Sequence, residues 1–173
     1  VSDALGVGSG GGGSGRYGAR FGGRENLVAR GGGGGAEDAV RAALRWLARH
    51  QSADGSWGAS AYTLNCASDG CSGSGARDYD VGVTGLALLA FLGAGYSHLS
   101  RDDVADPQLP GRTLKFGEVV RNGVKWLMAQ QDGEGCVGPR RGHYMYNHAI
   151  GTLALSEAYG MTNASPLAGP AQK

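Results

Sequence analysis

Residues 41–58 read RAALRWLARHQSADGSWG, and residues 121–138 read RNGVKWLMAQQDGEGCVG. Trp46-Leu47, Gln51, Gly55 and Gly58 of the first stretch return at the same spacing as Trp126-Leu127, Gln131, Gly135 and Gly138 of the second. A second match follows each of them. Tyr79-Asp80, Leu86-Ala87-Leu88 and Gly93 pair with Tyr146-Asn147, Leu153-Ala154-Leu155 and Gly160. Two stretches recurring in the same order define an internal repeat, and a repeat means one supersecondary unit used more than once.

The unit is a pair of helices. Over 36–50 the apolar residues Val40, Ala43, Leu44 and Leu47 fall at i, i+3, i+4 and i+7, with Arg41, Arg45 and Arg49 on the other face. That pattern predicts an amphipathic, surface-facing helix, and Glu37 and Asp38 sit in its first turn where the helix dipole favours acids. After a Ser/Gly/Asp/Cys loop over 52–78, Val81–Leu92 reads VGVTGLALLAFL, apolar around its whole circumference. Its length and Ala/Leu content predict a helix buried on all sides. The amphipathic type returns over 115–130 with the stripe Val120, Val124, Leu127 and Met128, and a second mostly apolar helix is expected over 147–159. The order is amphipathic, buried, amphipathic, buried, and an all-α fold follows.

Arg41, Trp46-Leu47, Gln51, Gly55 and Trp57 resemble the QW motif of squalene-hopene cyclases and related triterpene cyclases, with Ala42 where that family has Gly. The second copy has Val137 in place of the Trp. The chain is thus similar to the α/α toroids of terpenoid cyclases and protein prenyltransferases, the squalene cyclase and prenyltransferase repeat proteins. The resemblance covers most of 36–160 and implies two outer/inner helix pairs of a ring whose inner helices line a cavity for an isoprenoid-like or other apolar ligand. It implies further repeats in the same polypeptide. It makes Trp46, Gln51, Gly55, Trp57, Trp126 and Gln131 structural: the Gln stacks on the Trp and bonds to free backbone groups at a neighbouring helix end, and the Gly turns the chain. The stretch from Ser165 to Lys173 reads as the opening of a third outer helix.

The same resemblance directs attention to acids. Cyclases of this class protonate an alkene from a DxDD motif at the mouth of an inner helix, using a carboxylic acid kept protonated by burial. Asp78-Tyr79-Asp80-Val81 stands in that place, with Asp80 matching the proton donor and Asp78 the first Asp, but Val81 where the last Asp belongs. Asp80 as a helix cap and Asp78 as a solvated loop acid explain the same letters and are preferred. In the prenyltransferase branch, zinc is held by Asp, Cys and His on inner helices. Asp69-Gly70-Cys71 imitates part of that set, with His143 or His148 as the imidazole, but three or four converging ligands are needed and no metal or cofactor is assigned. The thioester signature of complement-type toroids is absent; Gly135-Cys136-Val137-Gly138 is not it.

Two further groups are read from the residues alone. His148, Thr152, Ser156 and Tyr159 form one helical stripe suited to orienting a ligand, or else bonded to neighbouring elements as buried polar groups usually are. The run His143-Tyr144-Met145-Tyr146-Asn147-His148 is the densest aromatic and imidazole cluster, and His143 and Tyr146 with His148 and Thr152 are the candidate binding residues. Cys66 and Cys71 share a loop; a local disulfide and half of a metal site are alternatives to two reduced thiols, which are preferred, and Cys136 is left over.

Residues 1–35 hold much of the glycine of a chain with 34 glycines in 173 residues, and they read as a disordered Gly/Arg-rich tail before a folded unit over 36–173. The formal net charge of +1 offers no basic field for nucleic acid. No run reaches the roughly 18 apolar residues of a membrane span. The chain begins at Val1 without a charged-then-apolar leader and is expected to be a segment of something longer, cytoplasmic or membrane-associated by family resemblance.

Overall fold

The computed structural model describes residues 34–66 and 70–173. The tail reading therefore lies outside the described residues except at Gly34 and Gly35, which begin a helix. Among the described residues five α-helices run in chain order: α1 Gly34–Arg49, α2 Asp80–Gly93, α3 Phe116–Ala129, α4 Tyr144–Thr162 and α5 Ser165–Gln172. Short 3-10 turns cover Tyr62–Asn65 and Arg77–Tyr79. The class is all-α in the main, but a small antiparallel sheet, β1 Asp103–Ala105 against β2 Thr113–Lys115, occupies the connection between the pairs.

The most extensive helix–helix contact is α2 against α4, the two apolar helices. Small residues let them approach. A Cβ added to Gly85 would stand 2.9 Å from Ile150 Cγ2 and 3.1 Å from the Ile150 carbonyl carbon and oxygen. Asn147, buried at the start of α4, ties the two helix mouths together: its Oδ1 accepts from Gly82 N–H at 3.1 Å, and its Nδ2 donates to the Asp78 carbonyl. Gly82 N–H is one of the orphan donors of the first turn of α2, so a side chain of α4 completes a helix end on its neighbour.

Leu88, Phe91 and Leu92 of α2, Phe116, Val120 and Leu127 of α3, and Ala154, Leu155 and Ala158 of α4 form one core and are fully buried. Phe91 meets Phe116 edge-on at 5.2 Å between ring centres, and Trp57 reaches the same cluster from the first loop. Each large apolar side chain buried this way contributes about 1.5–3 kcal/mol before entropy is set against it.

Two expectations are corrected here. α2 is not buried on all sides: Leu86 is 55% exposed and Ala90 is exposed, so the helix has an open face that an all-apolar sequence cannot mark. The stripe of α1 is buried only toward its end, with Leu44 at 2% and Val40 at 38% exposure. The arginine face of α1 is also put to use. Arg45 Nε donates to the Ala105 carbonyl at 2.9 Å, and Arg49 Nη1 reaches both carboxylate oxygens of Asp106, fixing the β1–β2 connection against the helix.

Candidate functional site

The two repeat loops show the same geometry. Gln51 Nε2 donates to the Gly55 carbonyl at 2.9 Å, and Gln131 Nε2 to the Gly135 carbonyl at 3.1 Å. Ser52 N–H donates to the Ser56 carbonyl, as Asp132 N–H does to the Cys136 carbonyl. Each glutamine then donates to a later helix, Gln51 to Val119 and Gln131 to Pro170. Trp57, buried at 2%, donates its indole N–H back to the Leu47 carbonyl at 2.8 Å. Trp126 bonds Asp54 of the first loop; burial pushes that carboxyl up, but this bond and the N–H and hydroxyl of Ser56 together hold it below its usual range. The ring stacked on Trp46 is the imidazole of His50, at 3.9 Å and 20° between planes.

The candidate acids stand at the mouth of α2. Asp80 is the first residue of that helix rather than its cap, and its Oδ1 accepts from Ala59 N–H at 2.7 Å, anchoring the first loop. Burial raises its pKa; the Ala59 bond and Arg77 oppose the rise without cancelling it. Asp78 lies exposed in the preceding 3-10 turn with Arg141 Nε at 3.9 Å, and Val81, buried at 4%, packs into the core.

The histidine stripe bonds to the second loop. His148 Nδ1 accepts from Val137 N–H at 3.2 Å, which puts the proton of a neutral ring on Nε2, and Thr152 Oγ1 lies 3.2 Å from the same nitrogen. His143 is exposed and stacks on Tyr79 at 5.7 Å, and Tyr146 is 70% exposed. Cys71 is brought to His50, with Sγ 3.2 Å from Nε2, and Cys66 completes the one metal-capable cluster among the described residues. His143 and His148 take no part in it. Asp69 lies outside the described residues. His50, a lone imidazole at a helix end, has no periodic signal that would mark it in the sequence.

Between α1, the first loop and α2 lies an open cavity of about 640 Å³. Trp46, Leu47, Trp57, Tyr62, Val83 and Leu86 supply most of its apolar wall, with His50 and Cys71 at one side. Neither Asp78 nor Asp80 is among its lining residues; Ala59, which Asp80 holds, is. No helix among the described residues is long and apolar enough to cross a membrane. No family model, curated protein or solved structure matches the chain.

Proposed function

We propose that the chain is a sector of an α/α toroid of the terpenoid-cyclase kind and that it binds an isoprenoid-like apolar chain without acid-initiated chemistry at Asp80. The observation that carries the reading is the cavity walled by Trp46, Trp57, Tyr62, Val83 and Leu86. Its volume and its aromatic and aliphatic lining suit a ligand with few polar groups. Asp80 is committed to Ala59 N–H, and the place of the last acid of the cyclase motif is filled by buried Val81. On this reading Asp80 holds the loop that shapes the cavity.

Farnesol, titrated into the protein in mild detergent, is expected to change the fluorescence of Trp46 and Trp57 saturably. Leu86→Asp is expected to abolish the change. Leu153→Asp, on α4 at 50% exposure and away from the cavity, is expected to leave it intact. An equal response from both variants, or none from the unaltered protein, overturns the reading.

A second reading has its own observation. Val83 of α2 holds the repeat position of Ile150 in α4, and Ile150 packs on Gly85. The cavity wall is thus the face by which one helix pair docks on the pair before it, and the occupant would be another helix pair of the same repeat. The module would then act as a scaffold, and farnesol would give no saturable response.

A further inference from the structure

The cluster at the end of α1 combines one imidazole and two thiols. One ring nitrogen of His50, Cys66 Sγ and Cys71 Sγ all lie within 4.8 Å of one another. In a tetrahedral zinc site with bonds of about 2.0–2.3 Å, neighbouring ligand atoms stand roughly 3.6–3.8 Å apart, so these three need only small adjustments to share an ion. His50 Nε2 and Cys71 Sγ are already at 3.2 Å, and Cys71 N–H lies 3.4 Å from Cys66 Sγ.

The imidazole is oriented as a ligand requires. Nδ1 lies 2.7 Å from the Trp46 carbonyl oxygen, which only accepts, so Nδ1 carries the proton and Nε2 presents its lone pair to the sulfurs. A ligating histidine whose other nitrogen donates to a backbone carbonyl is the usual outer-shell arrangement around zinc. The ring is also fully buried and stacked on Trp46, so its direction is set by packing as well. Asn65 Nδ2 donates to the His50 carbonyl at 3.3 Å and to Ser52 Oγ at 3.2 Å, holding the turn just before Cys66 to the helix end.

We infer that His50, Cys66 and Cys71 form a binding site for a soft divalent cation of the zinc type, which ties Cys66 and Cys71 to the C-terminal end of α1. Binding converts both thiols to thiolates and releases two protons to solvent, with no change of oxidation state. Three protein ligands leave a fourth position for water from the cavity that His50 and Cys71 help to line. The site is independent of the ligand reading above: it draws on a helix end and a loop, and the resemblance implies a different set.

The test uses the full chain, kept reduced by a phosphine, stripped with chelator and titrated with Co²⁺. One Co²⁺ per chain is expected, with the d–d bands of tetrahedral cobalt and a thiolate-to-cobalt charge-transfer band, both lost when Zn²⁺ is added. Cys66→Ser and Cys71→Ser are each expected to lose most of the charge-transfer band while keeping the helical circular dichroism. Cys136→Ser, a buried thiol that faces the Gly138 carbonyl, keeps the full signal. In nitrogen NMR the His50 ring resonances move on Zn²⁺ addition, and those of His143 and His148 do not. The inference is overturned if reduced protein shows no charge-transfer band, or if the Cys66 and Cys71 variants retain it. It is also overturned if a Cys66–Cys71 disulfide forms in air as readily with Zn²⁺ as without.

Discussion

Gln51 Nε2 donates to the Val119 carbonyl oxygen at 2.9 Å across a separation of 68 residues, while a Cβ on Gly55 would meet the Asn122 carbonyl oxygen at 2.5 Å. The second loop repeats this against α5: Gln131 donates to Pro170, and a Cβ on Gly135 would lie 2.8 Å from the Lys173 carbonyl oxygen. In both cases the carbonyl taken by glutamine lies three positions before the one that faces glycine. α5 therefore meets the second loop as α3 meets the first, and Leu167, 4% exposed, is buried there as Phe116 is.

Gly55→Ala is accordingly expected to destabilise the protein by more than about 2 kcal/mol. Gly55 has φ +96°, which a side chain rarely adopts, and the new methyl would strike backbone that cannot rotate away. Gly93→Ala, at the end of α2 with nothing near its Cβ, is expected to be neutral or stabilising by up to about 1 kcal/mol. Urea unfolding of the two variants decides it; equal midpoints would mean that the loop does not dock on α3.

Arg49 and Asp106 form an ion pair at 3.0 Å in which the Asp106 side chain is fully buried and the Arg49 side chain is 11% exposed. Gln108 N–H also donates to Asp106 Oδ1. Removing one partner leaves the other charge desolvated, so Asp106→Ala is expected to cost about 3–5 kcal/mol. Arg49→Met combined with Asp106→Leu is expected to cost much less than the sum of the two single changes. A double-mutant cycle by chemical denaturation measures the coupling, and additive costs would show that the pair does not hold the β1–β2 connection.

The helix pairs were legible because Trp46, Gln51 and Gly55 repeat at fixed spacing, and because the steric needs of a docking loop fix both residue type and position. Much of the candidate site was not. Three-residue strands such as Asp103–Ala105 are too short to show a period, so the role of Arg45 and Arg49 in holding them had no sequence signal. The meeting of His50 with Cys71, 21 positions on, depends on where a loop folds back. His148 and Thr152 stood out by composition, yet composition does not tell a ligand contact from a bond to Val137 of the adjacent loop. The open face of α2 is a further case, since an apolar sequence does not say which neighbour is present.

Asp80 gives a pH signature. Burial raises its folded-state pKa above the ordinary 3.8, so its contribution to stability is fully present below that pH and is lost as pH rises through the folded value. Asp80→Asn keeps an oxygen to accept from Ala59 N–H and carries no charge. It is expected to gain on the unaltered protein as pH rises from about 3 to about 7, while Asp80→Ala, which leaves that N–H without its acceptor, loses at every pH. Melting temperatures across this range check both. A gap between the unaltered protein and Asp80→Asn that does not change with pH would remove burial as the cause.

His98 has the opposite linkage. Its pKa is lowered from 6.5, first by burial and then by the positive charge of Arg121, whose Nη2 donates to the His98 carbonyl at 3.0 Å. Among the described residues, its Nδ1 is the buried side-chain polar atom with no hydrogen-bond partner, so protonating the ring charges it in a place with nothing to receive the new proton. A base with a depressed folded pKa stabilises the fold above its unfolded value, and that stability is lost as pH falls through 6.5 toward the folded value. His98→Leu removes both the titration and the unsatisfied nitrogen while keeping bulk at that position. The variant is expected to match or exceed the unaltered protein near neutral pH and to gain on it as pH falls through 6.5 toward the lower folded value. Urea midpoints at four or five pH values measure this slope, and parallel pH profiles would show that His98 is solvated enough to protonate at no cost to the fold.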